Sequence, residues 1–177
     1  MKLVKAVIFI VVVVVLATLL RTFVFGVYVI PSGSMIDTLE IGDYVVAEKL
    51  SYLADDPHQG DIVTFDDPQS PGRTLIKRVI ATEGQTVDLS SDGRVIVDGT
   101  IMYEPYTDGK PSLPFTETAG NVEIGYPYTV PQGCIWVMGD NRTDSADSRY
   151  FGAVPIDSVQ AKAMLTIMPL DRIGFID

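Results

Sequence analysis

The sequence predicts a mostly β protein, an antiparallel β-barrel or sandwich with a small irregular cap, preceded by one transmembrane helix. Three observations lead to this prediction. An apolar run from Ala6 to Leu20 is interrupted only by Thr18. Short strand-like segments then alternate with Gly- and Pro-containing turns, as is typical of antiparallel sheets. Finally, residues 103–128 are rich in Pro, Gly, Thr and Tyr and contain no long periodic run, which predicts an irregular excursion.

The apolar run predicts a transmembrane helix over residues 5–26. Its fifteen positions would span about 22 Å, which is short of the roughly 30 Å hydrocarbon core. Extension past Arg21 closes the gap if that side chain reaches the headgroup region. Gly26 and Pro31 are stop signals for such a helix.

The charges flanking this helix predict its orientation. Lys2 and Lys5 place residues 1–4 in the cytoplasm, so that residues 27–177 form an extracytoplasmic domain. A cleavable signal peptide is the alternative, since it also combines a basic start with an apolar core. The apolar segment continues past Arg21 and has no clean Ala-x-Ala site, which favours an uncleaved anchor. We therefore expect a single-pass plasma-membrane protein in contact with lipid.

The body contains a series of segments with strand character. Asp92-Gly93 favours a hairpin between two of them, because this pair tolerates positive φ. The segment 161–168 is either a strand or a short helix. The cap-like excursion covers about 84–128. The other strand candidates are 44–47, 61–65, 74–81, 86–89, 94–97 and 134–138.

Composition excludes several classes of function. All 23 acidic residues but only 10 of the 13 basic ones lie beyond Arg21, which gives the body a net charge of −13. Such a body argues against a nucleic-acid partner, because phosphate binding needs clustered Lys and Arg. The single cysteine, Cys134, excludes an internal disulfide, and the single histidine, His58, excludes a multi-histidine metal site. We predict no cofactor and no metal.

Ser34, in the junction Pro31-Ser32-Gly33-Ser34-Met35, is a candidate nucleophile only if a base is available. His58 lies in a polar loop typical of a surface residue. Lysine is the remaining base, although only about one in 2,500 is neutral at pH 7 when its pKa is unperturbed. Burial among apolar groups can lower that pKa by several units. Lys77 lies between apolar residues of a predicted strand, and Lys49 and Lys110 do not.

Alternation along the Lys77 strand would place Leu75, Lys77 and Val79 on one face. A lysine on a strand more often faces solvent, so this pattern alone leaves its role open. A third polar cluster, residues 139–152, directly follows the apolar segment 134–138. By itself, this cluster is typical of a polar turn whose side chains cap the backbone and form salt bridges.

Taken together, these segments resemble the bacterial type I signal peptidases, membrane-anchored serine proteases with a Ser–Lys dyad. The resemblance covers most of the chain in four ordered motifs. These are Pro31-Ser32-Gly33-Ser34-Met35 with Thr38-Leu39, Gly42 through Lys49, Ile76-Lys77-Arg78-Val79, and Gly139-Asp140-Asn141-Arg142 through Ser145-Ala146-Asp147-Ser148-Arg149 and Gly152.

The resemblance implies a role for each matching residue. Ser34 is the nucleophile, Lys77 is the general base, and Ser32 donates to the oxyanion beside the Ser34 N–H. Ser145 orients Lys77. The remaining site residues are supporting charges, namely Arg78, Asp140, Asp147 and Arg149.

Two positions depart from the family pattern. Ile36-Asp37 replaces the usual x-Pro step, and Leu75 stands where many members carry an aromatic residue. Asp37 would hold Lys77 charged if it pointed at the amine. We expect it to cap the turn instead.

The resemblance implies an endopeptidase that removes signal peptides with small residues at −1 and −3 from exported preproteins, and we expect a monomer. The alternative is a non-catalytic, membrane-anchored extracytoplasmic β-domain that binds peptides. A cytosolic self-cleaving Ser–Lys protease is disfavoured by the anchor. The distance from Ser34 Oγ to Lys77 Nζ separates catalysis from binding, since a dyad requires a separation near 3 Å.

Overall fold

The computed structural model describes residues 2–119 and 122–176, and these form a mostly β protein behind one long helix. The elements are α1 Lys2–Phe23, β1 Phe25–Val29, β2 Tyr44–Glu48, β3 Ile62–Asp66, β4 Thr74–Thr82, β5 Thr86–Leu89, β6 Val95–Val97, β7 Thr100–Ile101, β8 Tyr128–Thr129, β9 Cys134–Met138, α2 Ser148–Phe151, β10 Val154–Pro155, β11 Val159–Met168 and β12 Gly174–Phe175. The predicted fold class is confirmed, and the segment 161–168 is a strand.

Helix α1 is long and apolar enough to cross a membrane, with a mean hydropathy of 3.1 over its most apolar window. Its bounds differ from the predicted 5–26. It begins at Lys2 and ends at Phe23, because Phe25 and Gly26 already pair with Glu48 and Ala47 of β2. Residue 1 of the predicted cytoplasmic segment 1–4 lies outside the described residues.

The larger sheet is antiparallel and contains both strands that matter for the site. Its order is β1-β2-β11-β3-β4-β9-β10, with β12 also paired to β11. Within the described ranges this path has two free ends, so the sheet is open and no closed barrel forms. Strand β4 lies between β3 and β9, but its pairing with β9 begins only at Arg78. Residues 74–77, which include Lys77, pair with β3 alone.

A second sheet, in the order β7-β6-β5-β8, forms the regular part of the cap. The predicted hairpin is present as β5 and β6, and Gly93 in its turn has a φ of +83°. Between β7 and β8 the described chain is irregular apart from one 3₁₀ turn, Pro105–Thr107. In its described residues, the excursion 84–128 thus consists of three strands of this small sheet and an irregular segment that leads to β8.

Three hydrophobic clusters hold these layers together. One packs residues of the two sheets around Trp136. Another, with Val63, Val79 and Phe151, lies under the interior strands of the larger sheet. The third contains the fully buried Met35, which immediately follows Ser34. The serine-bearing segment is thereby fixed to the core.

Candidate active site

Ser34 and Lys77 lie in direct contact. Ser34 belongs to a 3₁₀ turn, Gly33–Met35, and Lys77 lies in the middle of β4. The Lys77 Nζ donates to Ser34 Oγ at 2.7 Å and to the Ile76 carbonyl at 2.9 Å. Both residues are buried, with exposures of 9% for Ser34 and 3% for Lys77. The separation agrees with a nucleophile and base in hydrogen-bond contact.

The strand environment of Lys77 matches the predicted alternation. Leu75 and Val79 pack with the cluster around Val63, whereas Ile76 packs against the cluster that contains Met35. Burial lowers the pKa of Lys77 to about 8. The nearby carboxylate of Asp147 opposes this lowering, whereas the positive charge of Arg73 lowers the pKa further. A larger fraction of neutral amine is therefore present near neutral pH than for an exposed lysine.

The turn after β9 holds the serine-bearing segment from the other side. The N–H of Asn141 donates to the Ser34 carbonyl at 3.1 Å, and its Nδ2 donates to the Gly33 carbonyl at 2.9 Å. Gly139 is required here, because a Cβ at this position would overlap the Ser34 carbonyl and the Ser145 side chain. The two backbones therefore approach closely only with glycine at 139.

Two buried ion pairs fix the same turn. Arg78 donates to both carboxylate oxygens of Asp140, at 2.9 and 2.8 Å, and Asp140 also accepts from the Thr38 hydroxyl. Arg149 binds Asp147 in the same bidentate way, at 2.9 and 2.8 Å. Both carboxylates are fully buried, so each needs its guanidinium partner to offset the cost of burying its charge.

A cleft opens beside the Ser34–Lys77 contact. Its lining includes Ser32, Leu75, Ala146 and Tyr150. The polar residues Asp67, Gln69, Ser70, Arg73 and Asp144 complete it, together with Gly33 and Phe151. An extended peptide entering this cleft would reach the Ser34 hydroxyl.

Comparison with known proteins identifies the family. The model described as signal peptidase, peptidase S26, matches residues 3–168. The chain belongs to this signal peptidase family. Its S26 relatives include the signal peptidase I of Leptolyngbya laminosa, which is 36% identical over 168 residues that cover 91% of this chain and 77% of the relative.

Two further relatives give the same result. The probable signal peptidase I-1 of Synechocystis is 40% identical over 169 residues, covering 90% of this chain and 80% of the relative. The signal peptidase I of Mycobacterium tuberculosis strain H37Rv is 36% identical over 214 residues, covering 94% and 72%. A solved signal peptidase I from Enterococcus faecalis is 32% identical, with a TM-score of 0.49, over 61% of this chain and 97% of that one. Family membership and helix α1 together indicate a membrane-anchored protein.

Ser145, expected in this signal peptidase to orient Lys77, forms no hydrogen bond with it within the described residues. The Ser145 Oγ is buried and has no hydrogen-bond partner within the described part of the chain. Lys77 instead donates to Ser34 and the Ile76 carbonyl. The expected hydrogen bond is therefore absent from this structure, although Ser145 does lie close to Gly139, beside the Ser34 carbonyl.

The other expected residues are placed as follows. Ser32 is exposed and lines the same cleft as Ser34. Asp37 forms an ion pair with Lys110 at 3.0 Å, with its side chain 55% exposed. It binds the cap rather than capping its own turn. The charge of Asp37 is not among the main influences on the pKa of Lys77.

Sequence reasoning assigned no role to several residues that hold the site together. Asn141 and Arg142 lie within a polar tract that was singled out, but nothing in the pattern distinguished them. Glu104 and Ser112, which bind Arg142, come from the irregular cap and carry no pattern at all. Among residues 2–119 and 122–176, no group of three or more His, Cys, Asp or Glu side chains could hold a metal ion.

Proposed function

We propose that this membrane-anchored S26 peptidase removes signal peptides from exported preproteins with Ser34 as nucleophile and Lys77 as general base. The observation that carries the proposal is the 2.7 Å contact between Lys77 Nζ and Ser34 Oγ in a buried site. A non-catalytic peptide-binding domain has no need to bury a lysine against a serine hydroxyl, since burying the amine is costly.

The geometry supports the following sequence of steps. Neutral Lys77 takes the proton of Ser34 as Oγ attacks the scissile carbonyl. The Ser32 hydroxyl and the Ser34 N–H stabilise the oxyanion, and removing one such donor typically costs about 10²–10³ in rate. The intermediate collapses by expelling the new amino terminus, which takes up the proton. Water, activated by Lys77, then hydrolyses the Ser34 ester.

The substrate class is the signal peptide with small residues at −1 and −3, bound in an extended conformation. Strand addition to a sheet edge is the mode we expect, because an extended peptide pairs with free backbone groups there. The anchor would raise the effective concentration of a substrate that lies in the same membrane. We further propose that the protein acts as a monomer, with α1 spanning the plasma membrane and the body outside the cytoplasm.

The direct test is incubation of the purified full chain, in detergent, with a preprotein. We expect wild-type protein to cleave once, after the small residue at −1. Ser34→Ala and Lys77→Ala should each lower kcat by about 10⁴–10⁶-fold, as loss of a member of a catalytic unit does. His58→Ala is the matched control, because the side chain of this histidine is 68% exposed and lies beside Asp55, and the variant should cleave like wild type.

Two results would contradict the proposal. Substantial cleavage by either dyad variant would exclude the assigned roles. Binding of the preprotein without cleavage by wild type would favour the non-catalytic alternative. Circular dichroism of each variant shows whether lost activity reflects lost chemistry or lost folding.

A further inference from the structure

A turn of the cap packs directly on one of the active-site arginines. The ring of Tyr106, in the 3₁₀ turn Pro105–Thr107, lies under the Arg78 guanidinium, with 3.9 Å between Cζ and the ring centroid. Arg78 follows Lys77 in β4 and binds Asp140 through its edge. The guanidinium therefore has a carboxylate at its edge and an aromatic ring against its face, an arrangement that favours a desolvated cation.

The same part of the cap also binds the second arginine of the turn. Glu104 accepts from both terminal nitrogens of Arg142, whose side chain is 1% exposed, and Ser112 accepts from one of them at 2.6 Å. The Tyr106 hydroxyl donates to Glu104 at 3.0 Å. Tyr106 thus contacts Arg78 through its ring and is hydrogen-bonded to the carboxylate that neutralises Arg142.

These two arginines bind the turn that contacts the serine-bearing segment. Arg78 joins the Lys77 strand to the turn at Asp140. Arg142 Nε donates to the Gly139 carbonyl at 3.1 Å and so holds the start of the same turn. Asn141, between them, binds the carbonyls of the serine-bearing segment. A shift of this turn would therefore move Ser34 relative to Lys77.

We propose that Tyr106 and Glu104 are positioning residues for the dyad, so that the cap is part of the catalytic apparatus rather than a separate attachment. The inference depends on the proposed roles of Ser34 and Lys77. Tyr106 acts by limiting the orientation of Arg78, and Glu104 acts by neutralising and orienting Arg142. Neither touches the reacting atoms. They affect the distance between Ser34 Oγ and Lys77 Nζ and the access of water to that contact.

The test compares Tyr106→Leu, which removes the aromatic face, with Tyr106→Phe, which keeps it and loses only the hydroxyl. Tyr103→Leu is the matched control, because Tyr103 lies in the same segment but is 86% exposed. We expect Tyr106→Leu to lower kcat by about 10- to 100-fold with little change in KM, as small displacements of reacting groups do. Tyr106→Phe should recover most of that loss, and Tyr103→Leu should match wild type.

The pH profile of kcat provides a readout that a purely structural role would not change. A loosened dyad admits water, which moves the pKa of Lys77 back towards its ordinary value. The rise of kcat with pH should then move to higher pH in Tyr106→Leu. Rates are corrected for the folded fraction measured by circular dichroism at the assay temperature.

Glu104→Gln keeps the proposal testable if Tyr106→Leu does not fold, since glutamine retains an oxygen acceptor for Arg142. It should show a smaller loss of kcat and the same shift to higher pH. The inference is overturned if the folded Tyr106→Leu or Glu104→Gln protein has wild-type kcat, if its pH profile does not move, or if Tyr106→Phe is as impaired as Tyr106→Leu. Activity in Ser34→Ala would instead overturn the proposed dyad itself, and the two failures are therefore distinguishable.

Discussion

At the scale of single residues, the burial of Lys77 links folding to chemistry. Its side chain is 3% exposed, and burial disfavours the ammonium form more than the neutral amine. Asp147 and Asp140 oppose this effect, but each has a bidentate arginine that offsets much of its charge. The two ion pairs thus let carboxylates organise the turn beside Lys77 while the pKa of the amine stays lowered to about 8.

The pH dependence of kcat/KM follows from the lowered pKa of Lys77, because this ratio reports the ionisation of the free enzyme. A general base works only when unprotonated, so kcat/KM should be low below the pKa and should rise with pH to a plateau above it. Because the pKa is lowered to about 8, we expect the midpoint of the rise near pH 8 rather than near 10.5. Cleavage of a preprotein at concentrations below KM, at a series of pH values, measures this. A pH-independent rate across this range would exclude Lys77 as the base.

At the scale of elements, the turn after β9 holds Ser34 in position. Asn141 is its direct contact with the serine-bearing segment, through one backbone and one side-chain hydrogen bond. The side-chain bond spans 108 positions in sequence, so it joins two parts of the chain that no local pattern relates. The turn and the 3₁₀ turn Gly33–Met35 therefore behave as one unit.

Substitution of Asn141 tests this coupling. Asn141→Ala removes the donor to the Gly33 carbonyl and keeps the backbone bond to Ser34. We expect a loss of about 1 kcal/mol in unfolding free energy and a fall in kcat that exceeds any change in KM. Thr143→Ala, an exposed change in the same turn, serves as the control. Equal kcat in the two variants, measured with one preprotein, would show that Asn141 does not position Ser34.

Strand content was predictable where alternation and turn residues agree. The predicted 86–89 and 134–138 match β5 and β9 in their bounds. The start of strand β1 was missed, because Phe25 and Gly26 continue the apolar run and were included in the predicted helix 5–26. Such a run does not distinguish helix from strand. Only its pairing with β2, twenty residues later, decides between them.

The candidate site was predictable in its reacting groups and less so in their supports. Ser34 and Lys77 lie in motifs with recognisable spacing, and the structure brings them together. Two features depend on side-chain directions that spacing does not specify. Ser145 forms no hydrogen bond with Lys77 within the described residues, and Asp37 pairs with Lys110. Glu104 and Tyr106 act through contacts from an irregular segment, where no periodicity exists to reveal which side faces inward.

At the scale of the whole molecule, the body follows the anchor with almost no linker. Only Val24 separates α1 from β1, and the Lys49 amine donates to the Thr22 carbonyl near the end of the helix. The sheet therefore begins where the apolar helix ends.

The orientation of α1 is the remaining prediction at this scale. Lys2 and Lys5 favour a cytoplasmic start for the helix and an extracytoplasmic body. In a Cys134→Ser background, Ser91→Cys places a thiol on the exposed hairpin turn, and Leu3→Cys places one at the start of α1. We expect a membrane-impermeant maleimide to label Ser91→Cys in intact cells and Leu3→Cys only after lysis. The reverse pattern would place the dyad in the cytoplasm, on the side of the membrane where exported preproteins have not yet been translocated.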